Sequence, residues 1–169
     1  MKKIAKFHKV SFEQFKCDFE KVFSYSEEEI KEVYDAIILP KRGTNKSAGY
    51  DFFMPVTVLL KPEAAIKVPT GIRCEMEENW VLQLHPRSGL GFKYRLQLDN
   101  TVGIIDADYF ESDNEGHIMA KMRNDSRDDL VLLLEKGIGF MQGIFVEYGI
   151  TTDDDVVLQR NGGFGSTTK

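Results

Sequence analysis

The sequence has few cysteines and no long apolar run. Cys17 and Cys74 are the only cysteines among the 169 residues, and they have neither the number nor the spacing of a zinc site or a disulfide framework, so we assign them no chemistry. No apolar stretch approaches the roughly 20 residues that a membrane-spanning helix needs. The Met-Lys-Lys start also lacks the apolar region of a signal peptide. We therefore expect a cytoplasmic protein that does not contact a membrane.

Negative charge outnumbers positive charge. Lysine and arginine number 22 against 27 acidic residues, which gives a formal net charge of −5. Binding of a long nucleic-acid polymer depends on a basic surface, so this balance argues against such a ligand. A small phosphate ligand remains possible if backbone amides, a few cations and a divalent metal supply local positive potential. The length and the 42% hydrophobic fraction predict one globular domain with a sizeable core.

The first 40 residues read as a helical extension. Ser11 and Ser26 each begin a capping-box pattern, and apolar residues then recur at helical spacing. Two short amphipathic helices are therefore predicted within residues 11–36. The first carries a phenylalanine stripe, which we expect to dock on the chain's own body or on a neighbouring subunit rather than to bind a partner protein. The stripe consists of Phe12, Phe15, Phe19 and Phe23.

From Tyr50 onward, short apolar segments alternate with glycine and proline turn signals. This spacing predicts an all-β sandwich, jelly roll or barrel over residues 41–158 rather than an α/β fold. Residues 159–169 follow as a polar, glycine-rich arm that cannot form a core and is expected to be flexible. The predicted strands are 50–60, 65–68, 80–84, 96–98, 116–122, 130–134 and 142–148.

Segment 100–109 reads Asn-Thr-Val-Gly-Ile-Ile-Asp-Ala-Asp-Tyr and contains two carboxylates without a cation. If residues 104–109 are extended, Asp106 and Asp108 share one face, roughly 6 to 7 Å apart. Acids at the mouth of a buried strand are costly to desolvate, which favours a catalytic or metal-binding role. A polar strand end that enters a loop is the alternative, and the segment alone leaves both open.

The C-terminal arm has one large apolar ring, Phe164, between glycines. Such a ring could stack on a flat ligand, while the glycines would let backbone amides approach a phosphate. The arm is thus either a lid or a disordered end with an incidental phenylalanine.

Five separated segments, in order over residues 46–168, resemble the motifs of the trimeric dUTP pyrophosphatases (dUTPases). The helical extension resembles that of a bacterial or phage branch of the family. The five segments are Ser-Ala-Gly-Tyr-Asp-Phe at 47–52, Pro-Arg-Ser-Gly-Leu-Gly-Phe-Lys at 86–93, the segment 100–109, Lys-Gly-Ile-Gly-Phe-Met-Gln-Gly-Ile-Phe at 136–145, and Gly-Gly-Phe-Gly-Ser-Thr at 162–167.

The resemblance implies a distorted jelly-roll homotrimer that hydrolyses dUTP to dUMP and pyrophosphate. This reaction limits uracil incorporation into DNA and supplies dUMP for dTMP synthesis. It implies that Asp106 is the general base for a water that attacks the α-phosphorus, because a fixed carboxylate within hydrogen-bond reach can take the proton. It also implies Mg²⁺ as cofactor, held mainly by the substrate phosphates, with Asp51 in the outer shell at most.

The resemblance further assigns the substrate contacts, with each site drawing on three subunits. Tyr109 would lie against the deoxyribose and exclude a 2′-hydroxyl. Uracil would be read by main-chain groups, and cytosine would leave buried groups unpaired at roughly 1 to 3 kcal/mol each. The residues around the uracil would be Asn100, Gly103, Ile104, Ile105 and Met119. Those along the phosphate chain would be Arg87, Ser88, Gly89 and Gln142, with Arg160, Gly163, Phe164, Gly165, Ser166 and Thr167 from the arm.

Three features depart from the family pattern. Residues 110–116 are inserted after Tyr109, residues 137–139 read Gly-Ile-Gly where Gly-Asp-Arg is common, and Arg160 stands four rather than five positions before Phe164.

Two alternatives stay open. One is a dCTP deaminase-related enzyme, although the glutamate that would be catalytic there falls at or near Lys121, which cannot perform that proton transfer. The other is a nucleotide-binding regulatory module without turnover. The histidines match no catalytic position of the family, and we expect His8, His85 and His117 to be surface or structural residues.

Overall fold

The computed structural model describes residues 2–158, and strands dominate them. This confirms the predicted all-β class with an N-terminal helical pair. The strands are β1 Ala5–Lys9, β2 Lys41–Arg42, β3 Tyr50–Phe53, β4 Val58–Leu60, β5 Ala65–Pro69, β6 Ile72–Met76, β7 Trp80–Pro86, β8 Leu96–Leu98, β9 Gly103–Ile105, β10 Met119–Asn124, β11 Leu132–Leu134 and β12 Gly139–Glu147. The helices are α1 Phe12–Phe19, α2 Glu27–Asp35, α3 Ser88–Tyr94 and a 3₁₀ helix at Ala107–Glu111.

Both predicted N-terminal helices begin at their predicted caps. The Ser11 hydroxyl accepts a hydrogen bond from the Gln14 amide at 3.1 Å, and Ser26 forms a complete capping box with Glu29. Phe15 and Phe19 are fully buried between the two helices and the body of the chain. The phenylalanine stripe is therefore largely a packing surface, as the sequence predicted.

The strand β12 organises the largest sheet, whose order is β2-β3-β12-β7-β9. Gln142 on β12 lies opposite Asp51 on β3 and opposite His85 on β7. This register brings three segments that are far apart in sequence to one end of the sheet. Smaller sheets, β5-β10-β8, β4-β11 and β1-β6, complete the fold around a core that includes Phe52, Leu82 and Met122.

The structure also departs from the sequence prediction. The predicted strand 50–60 is interrupted by Pro55, since proline cannot donate to a ladder, and it becomes β3 and β4. Residues 104–109 are not extended throughout, because β9 ends at Ile105 and the 3₁₀ helix follows. Asp106 and Asp108 therefore do not share one strand face. The elements β1, β2, β6 and α3 were not predicted from the sequence.

Among residues 2–158, no helix has the length and apolar character that crossing a bilayer would require.

Candidate active site

One candidate cluster lies where β3, β7 and β12 meet. Arg87 follows the last residue of β7, and its Nε lies 3.3 Å from Oδ1 of Asp51. The Nη1 atom of Arg87 also donates to the Gly139 carbonyl at 3.3 Å. The Arg87 side chain is still 45% exposed, so these contacts aim the guanidinium while leaving it open to an anion. A planar guanidinium suits bidentate phosphate contacts.

Two glycines make room for the polar side chains of this cluster. A Cβ atom at Gly139 would lie 2.8 Å from Nη1 of Arg87, and one at Gly49 would lie 2.5 Å from Oε1 of Gln142. Both side chains therefore lie directly against glycine backbone. The nearby turn is stabilised by the backbone, because the Gly137 amide donates to the Met54 carbonyl at 2.8 Å.

Ser88 and Gly89 are the first two residues of α3, and both are exposed. Arg87 occupies the cap position without a side-chain hydrogen bond to the helix. The first amides of a helix have no intrahelical acceptor. Together with Arg87, this turn can offer donors to an anion beside Gln142.

Asp106 lies in a different part of the fold. It follows β9, which pairs with β7 so that Ile105 lies opposite Leu82 and Gly103 opposite Leu84. Asp106 is half-buried at the entry to the 3₁₀ helix, whereas Asp108 is exposed within that helix. The fold thus separates the two carboxylates that the sequence placed together.

Asp106 borders an open concavity of about 600 Å³ that is strongly acidic. Within residues 2–158, its lining contains carboxylates and no lysine or arginine. A triphosphate there would need positive charge from outside this lining. The residues that line it are Glu75, Met76, Glu78, Asp106, Ala107, Asp108, Phe110, Glu111 and Tyr148.

The Asp106 segment and the Arg87 cluster do not converge within one chain. Asp106 lies beside the start of β7, because the preceding Ile105 pairs with Leu82, while Arg87 follows its end. The extended strand between them separates the two positions by roughly 15 to 20 Å. One protomer therefore holds the predicted base and the predicted phosphate ligands at different ends of its main sheet.

The remaining base and sugar residues surround the Asp106 hairpin. Asn100 and Ile104 are exposed, while Gly103 and Ile105 are buried in the hairpin. Met119 is buried at the start of β10. The predicted contacts of the arm, Arg160, Gly163, Phe164, Gly165, Ser166 and Thr167, lie outside the described residues.

Tyr109 is anchored from the inside of the protein. Only 5% of this residue is exposed, and its hydroxyl donates to the His117 carbonyl at 2.8 Å. The same hydroxyl accepts from Nδ2 of Asn114 at 2.8 Å. The predicted sugar contact would therefore be made by a ring whose position is fixed through its hydroxyl.

The insertion after Tyr109 folds back tightly. Gly116 has φ +67°, and a Cβ there would lie 2.6 Å from the Tyr109 carbonyl oxygen. His117 follows and is completely buried, which confirms a structural place for it. Its Nδ1 lies 2.7 Å from Oδ2 of Asp18, and its Nε2 accepts the Gly71 amide hydrogen bond at 2.8 Å. The ring proton therefore belongs on Nδ1, which donates to Asp18.

Asp18 was missed in the sequence. It lies on the buried face of α1 together with Phe15 and Phe19. An acidic residue at a buried position of an amphipathic helix was the one signal in the sequence that could have identified it. Burial alone would raise the pKa of the Asp18 carboxyl, but hydrogen bonds from His117, Lys21 and Gln14 together hold that pKa well below its ordinary value. A carboxylate inside an apolar stripe indicates a buried polar partner.

Cys74 and Lys121 were considered above for cysteine chemistry and for the deaminase alternative, and both have ordinary structural roles. Burial raises the pKa of the Cys74 thiol to about 12, so it is not a reactive nucleophile. Lys121 forms an ion pair with Asp99 at 3.0 Å on the surface.

Comparison with known proteins agrees with the geometry. The dUTPase family profile matches residues 35–168. Deoxyuridine 5'-triphosphate nucleotidohydrolase of Lactococcus lactis is 40% identical over 134 residues, which span 78% of this chain and 88% of the relative.

Among solved structures, dUTPase from Streptococcus mutans is similar with a TM-score of 0.63 and 32% identity, over 86% of this chain and 97% of that one. The dUTPase of Staphylococcus bacteriophage 80alpha shares the fold, with a TM-score of 0.56 and 23% identity over 73% of this chain and 92% of that one. The chain therefore belongs to the dUTPase family.

Proposed function

We propose that the chain hydrolyses dUTP to dUMP and pyrophosphate in the cytoplasm, which limits uracil incorporation into DNA and supplies dUMP for dTMP synthesis. The observation that carries this proposal is the dUTPase match over residues 35–168, which includes both Asp106 and the Arg87 cluster. Membership of the family favours the pyrophosphatase over the deaminase and the regulatory module.

Asp106 is the proposed general base. It is half-buried and directly follows β9, whose pairing with β7 orders the main chain up to Ile105. Such a carboxylate can take a proton from a water aligned with the α-phosphorus, which shifts charge onto the attacking oxygen. Asp108 is exposed and is proposed to have no chemical role.

The phosphate chain is proposed to bind at Arg87, Ser88, Gly89 and Gln142. Arg87 is held by Asp51 and the Gly139 carbonyl, so its guanidinium is oriented before the substrate arrives. Preorganised donors lower the cost of binding and stabilise developing negative charge on the phosphates. The arm residues Arg160, Gly163, Phe164, Gly165, Ser166 and Thr167 are proposed to close over the substrate.

Uracil and deoxyribose are proposed to bind at the Asp106 hairpin. Main-chain groups of residues 103–105, with Asn100 and Met119, would read the base. The Tyr109 ring would form a wall against a 2′-hydroxyl. Its buried hydroxyl contacts keep this wall in place.

Mg²⁺ is the proposed cofactor, held mainly by the substrate phosphates. Within residues 2–158, no group of three or more His, Cys, Asp or Glu side chains could hold a metal ion. When bound, Mg²⁺ would offset triphosphate charge. Asp51 could contact a metal-bound water while it continues to orient Arg87.

A homotrimer with shared sites would bring the separated parts together. The described lining of the Asp106 concavity holds no lysine or arginine, and the Arg87 cluster lies roughly 15 to 20 Å away along β7 of the same chain. Supply of Arg87 by a neighbouring subunit would place positive charge opposite the acidic concavity. This arrangement is proposed for the assembled homotrimer.

Pyrophosphate release from dUTP, dCTP, dTTP and UTP in the presence of Mg²⁺ tests the proposal. We expect turnover of dUTP and much slower turnover of the other three. Ammonia release from dCTP would instead establish the deaminase. Binding of dUTP without hydrolysis would establish the regulatory module.

A further inference from the structure

The insertion after Tyr109 is held on several sides by residues that precede the family match. The Ser11 amide and hydroxyl donate to the two carboxylate oxygens of Glu115 at 2.7 and 2.6 Å. The His8 ring lies 5.7 Å from the Phe110 ring. The third contact is the buried pair of Asp18 with His117. Residues 8–18 thus contact the insertion at its start, through Phe110, and at its end, through Glu115 and the adjoining His117.

His117 connects the N-terminal extension directly to Tyr109. Its side chain bonds Asp18 on α1 and the Gly71 amide, while its carbonyl accepts from the Tyr109 hydroxyl. Because both ring nitrogens are used, the histidine has one orientation and one tautomer. A displacement of α1 would therefore move the group that fixes the Tyr109 ring.

We propose that the N-terminal extension positions the Tyr109 ring for sugar discrimination, with Asp18 and His117 as the positioning pair. This inference rests on the proposed function, because it takes Tyr109 as the wall against a 2′-hydroxyl. Asp18 and His117 act through Tyr109 and do not touch the substrate.

The chemistry of the pair supports a positioning role. An apolar residue at 18 would extend the stripe of Phe15 and Phe19, yet the position holds a carboxylate with three hydrogen-bond partners. Hydrogen bonds have directions that apolar contacts lack, and buried polar pairs are best known for fixing one arrangement among several. Here the Asp18–His117 pair fixes the position of Tyr109, which lies three residues after Asp106.

The test compares kcat and KM for dUTP, UTP and dCTP in the full-length chain. In Asp18→Ala, we expect the ratio of kcat/KM for dUTP over UTP to fall about tenfold. Asp18→Asn keeps an oxygen that can accept from Nδ1 of His117, so its ratio should be intermediate. Tyr109→Phe keeps the ring but severs its link to the His117 carbonyl, and should also lower the ratio.

The ratio for dUTP over dCTP should stay near wild type in these variants, because the hairpin main chain reads the base. A merely structural effect would scale all three substrates equally and leave both ratios unchanged, which would overturn the inference. Lys16→Gln is the matched control, since it removes an ion pair with Glu27 on the outer face of α1. It should leave both ratios unchanged.

Further variants separate the possible failures. If Asp18→Ala does not fold, the dUTP over UTP ratios of Glu115→Ala and Tyr109→Phe test the inference instead. Neither variant removes a group from the buried Asp18 site, and both ratios should fall. Tyr109→Leu removes the ring itself. If it lowers the dUTP over UTP ratio while Tyr109→Phe and the Asp18 or Glu115 variants do not, the inference alone is wrong. If Tyr109→Leu keeps the ratio, or the wild type does not hydrolyse dUTP, the proposed sugar contact or the proposed function fails and the inference falls with it.

Discussion

Asp106 and Arg87 lie beside opposite ends of strand β7, one through the pairing of Ile105 with Leu82 and the other directly after Pro86. Since the intervening strand keeps them roughly 15 to 20 Å apart, a single protomer cannot place both on one α-phosphorus. The acidic lining around Asp106 and the open guanidinium of Arg87 are complementary in charge. This separation is the physical argument for a site that is shared between subunits.

Mixed oligomers test this sharing. We expect Asp106→Asn and Arg87→Ala to be inactive when each is assembled alone. If each site takes the two residues from different subunits, random co-assembly should restore about a quarter of the sites, because both intact residues then meet by chance. Pyrophosphate release from the co-refolded mixture provides the measurement.

The control for this experiment is a mixture of the two variants that are assembled separately and not exchanged. It should remain inactive. If co-assembled oligomers also stay inactive while both variants retain the oligomeric state of the wild type, the two residues act within one chain and the shared site is wrong.

Gly116→Ala should lower the free energy of unfolding by about 2 to 4 kcal/mol, through positive φ and overpacking together. The new Cβ would lie 2.6 Å from the Tyr109 carbonyl oxygen, which is backbone and cannot swing aside. Gly137→Ala is the matched control, because its φ is +81° but no atom lies within 4 Å of the added Cβ. It should cost only about 1 kcal/mol. Equal losses in denaturant titrations would show that the close approach to Tyr109 is unimportant.

Acid should reveal the contribution of Asp18. Because its native pKa lies below the ordinary value of 3.8, the carboxylate stabilises the fold fully above that pH and loses this effect as the pH falls towards the native pKa. Asp18→Asn should therefore cost roughly 1 to 3 kcal/mol at neutral pH. The difference from wild type should shrink as the pH falls below 3.8. Denaturant titrations at a fixed protein concentration measure it, and a difference that is constant or grows in acid would contradict the account.

Local signals in the sequence predicted much of this fold. The caps at Ser11 and Ser26 start both N-terminal helices, and the predicted strand 96–98 coincides with β8. The single strand predicted for 50–60 was wrong, because the apolar pattern continues through Pro55 while the hydrogen-bond ladder stops there. The missed β1 and β6 pair with each other, and both alternate apolar with polar residues, so a period-two signal was present. Each strand has only five residues, which is too short for this signal to stand out by itself.

The arrangement of the candidate site residues could not be predicted from the sequence. The motifs named Asp51, Arg87 and Gln142, and the β12 register brings them together. Sequence alone could not show that the chain turns into a 3₁₀ helix after Asp106, which separates it from Asp108. Asp18 was missed because its partner is 99 positions away in the chain, and only the folded structure brings His117 to it.

The most direct test of Asp106 as the general base is pyrophosphate release from dUTP with Mg²⁺. It compares Asp106→Asn with Asp108→Asn. The amide cannot take a proton from water, so Asp106→Asn should lower kcat by about 10² to 10⁴ while the fold and dUTP binding persist. Asp108→Asn, an equal change two residues away on an exposed carboxylate, should keep kcat near that of the wild type. A full kcat in Asp106→Asn, or an equal loss in both variants, would contradict the assignment of Asp106 as the base.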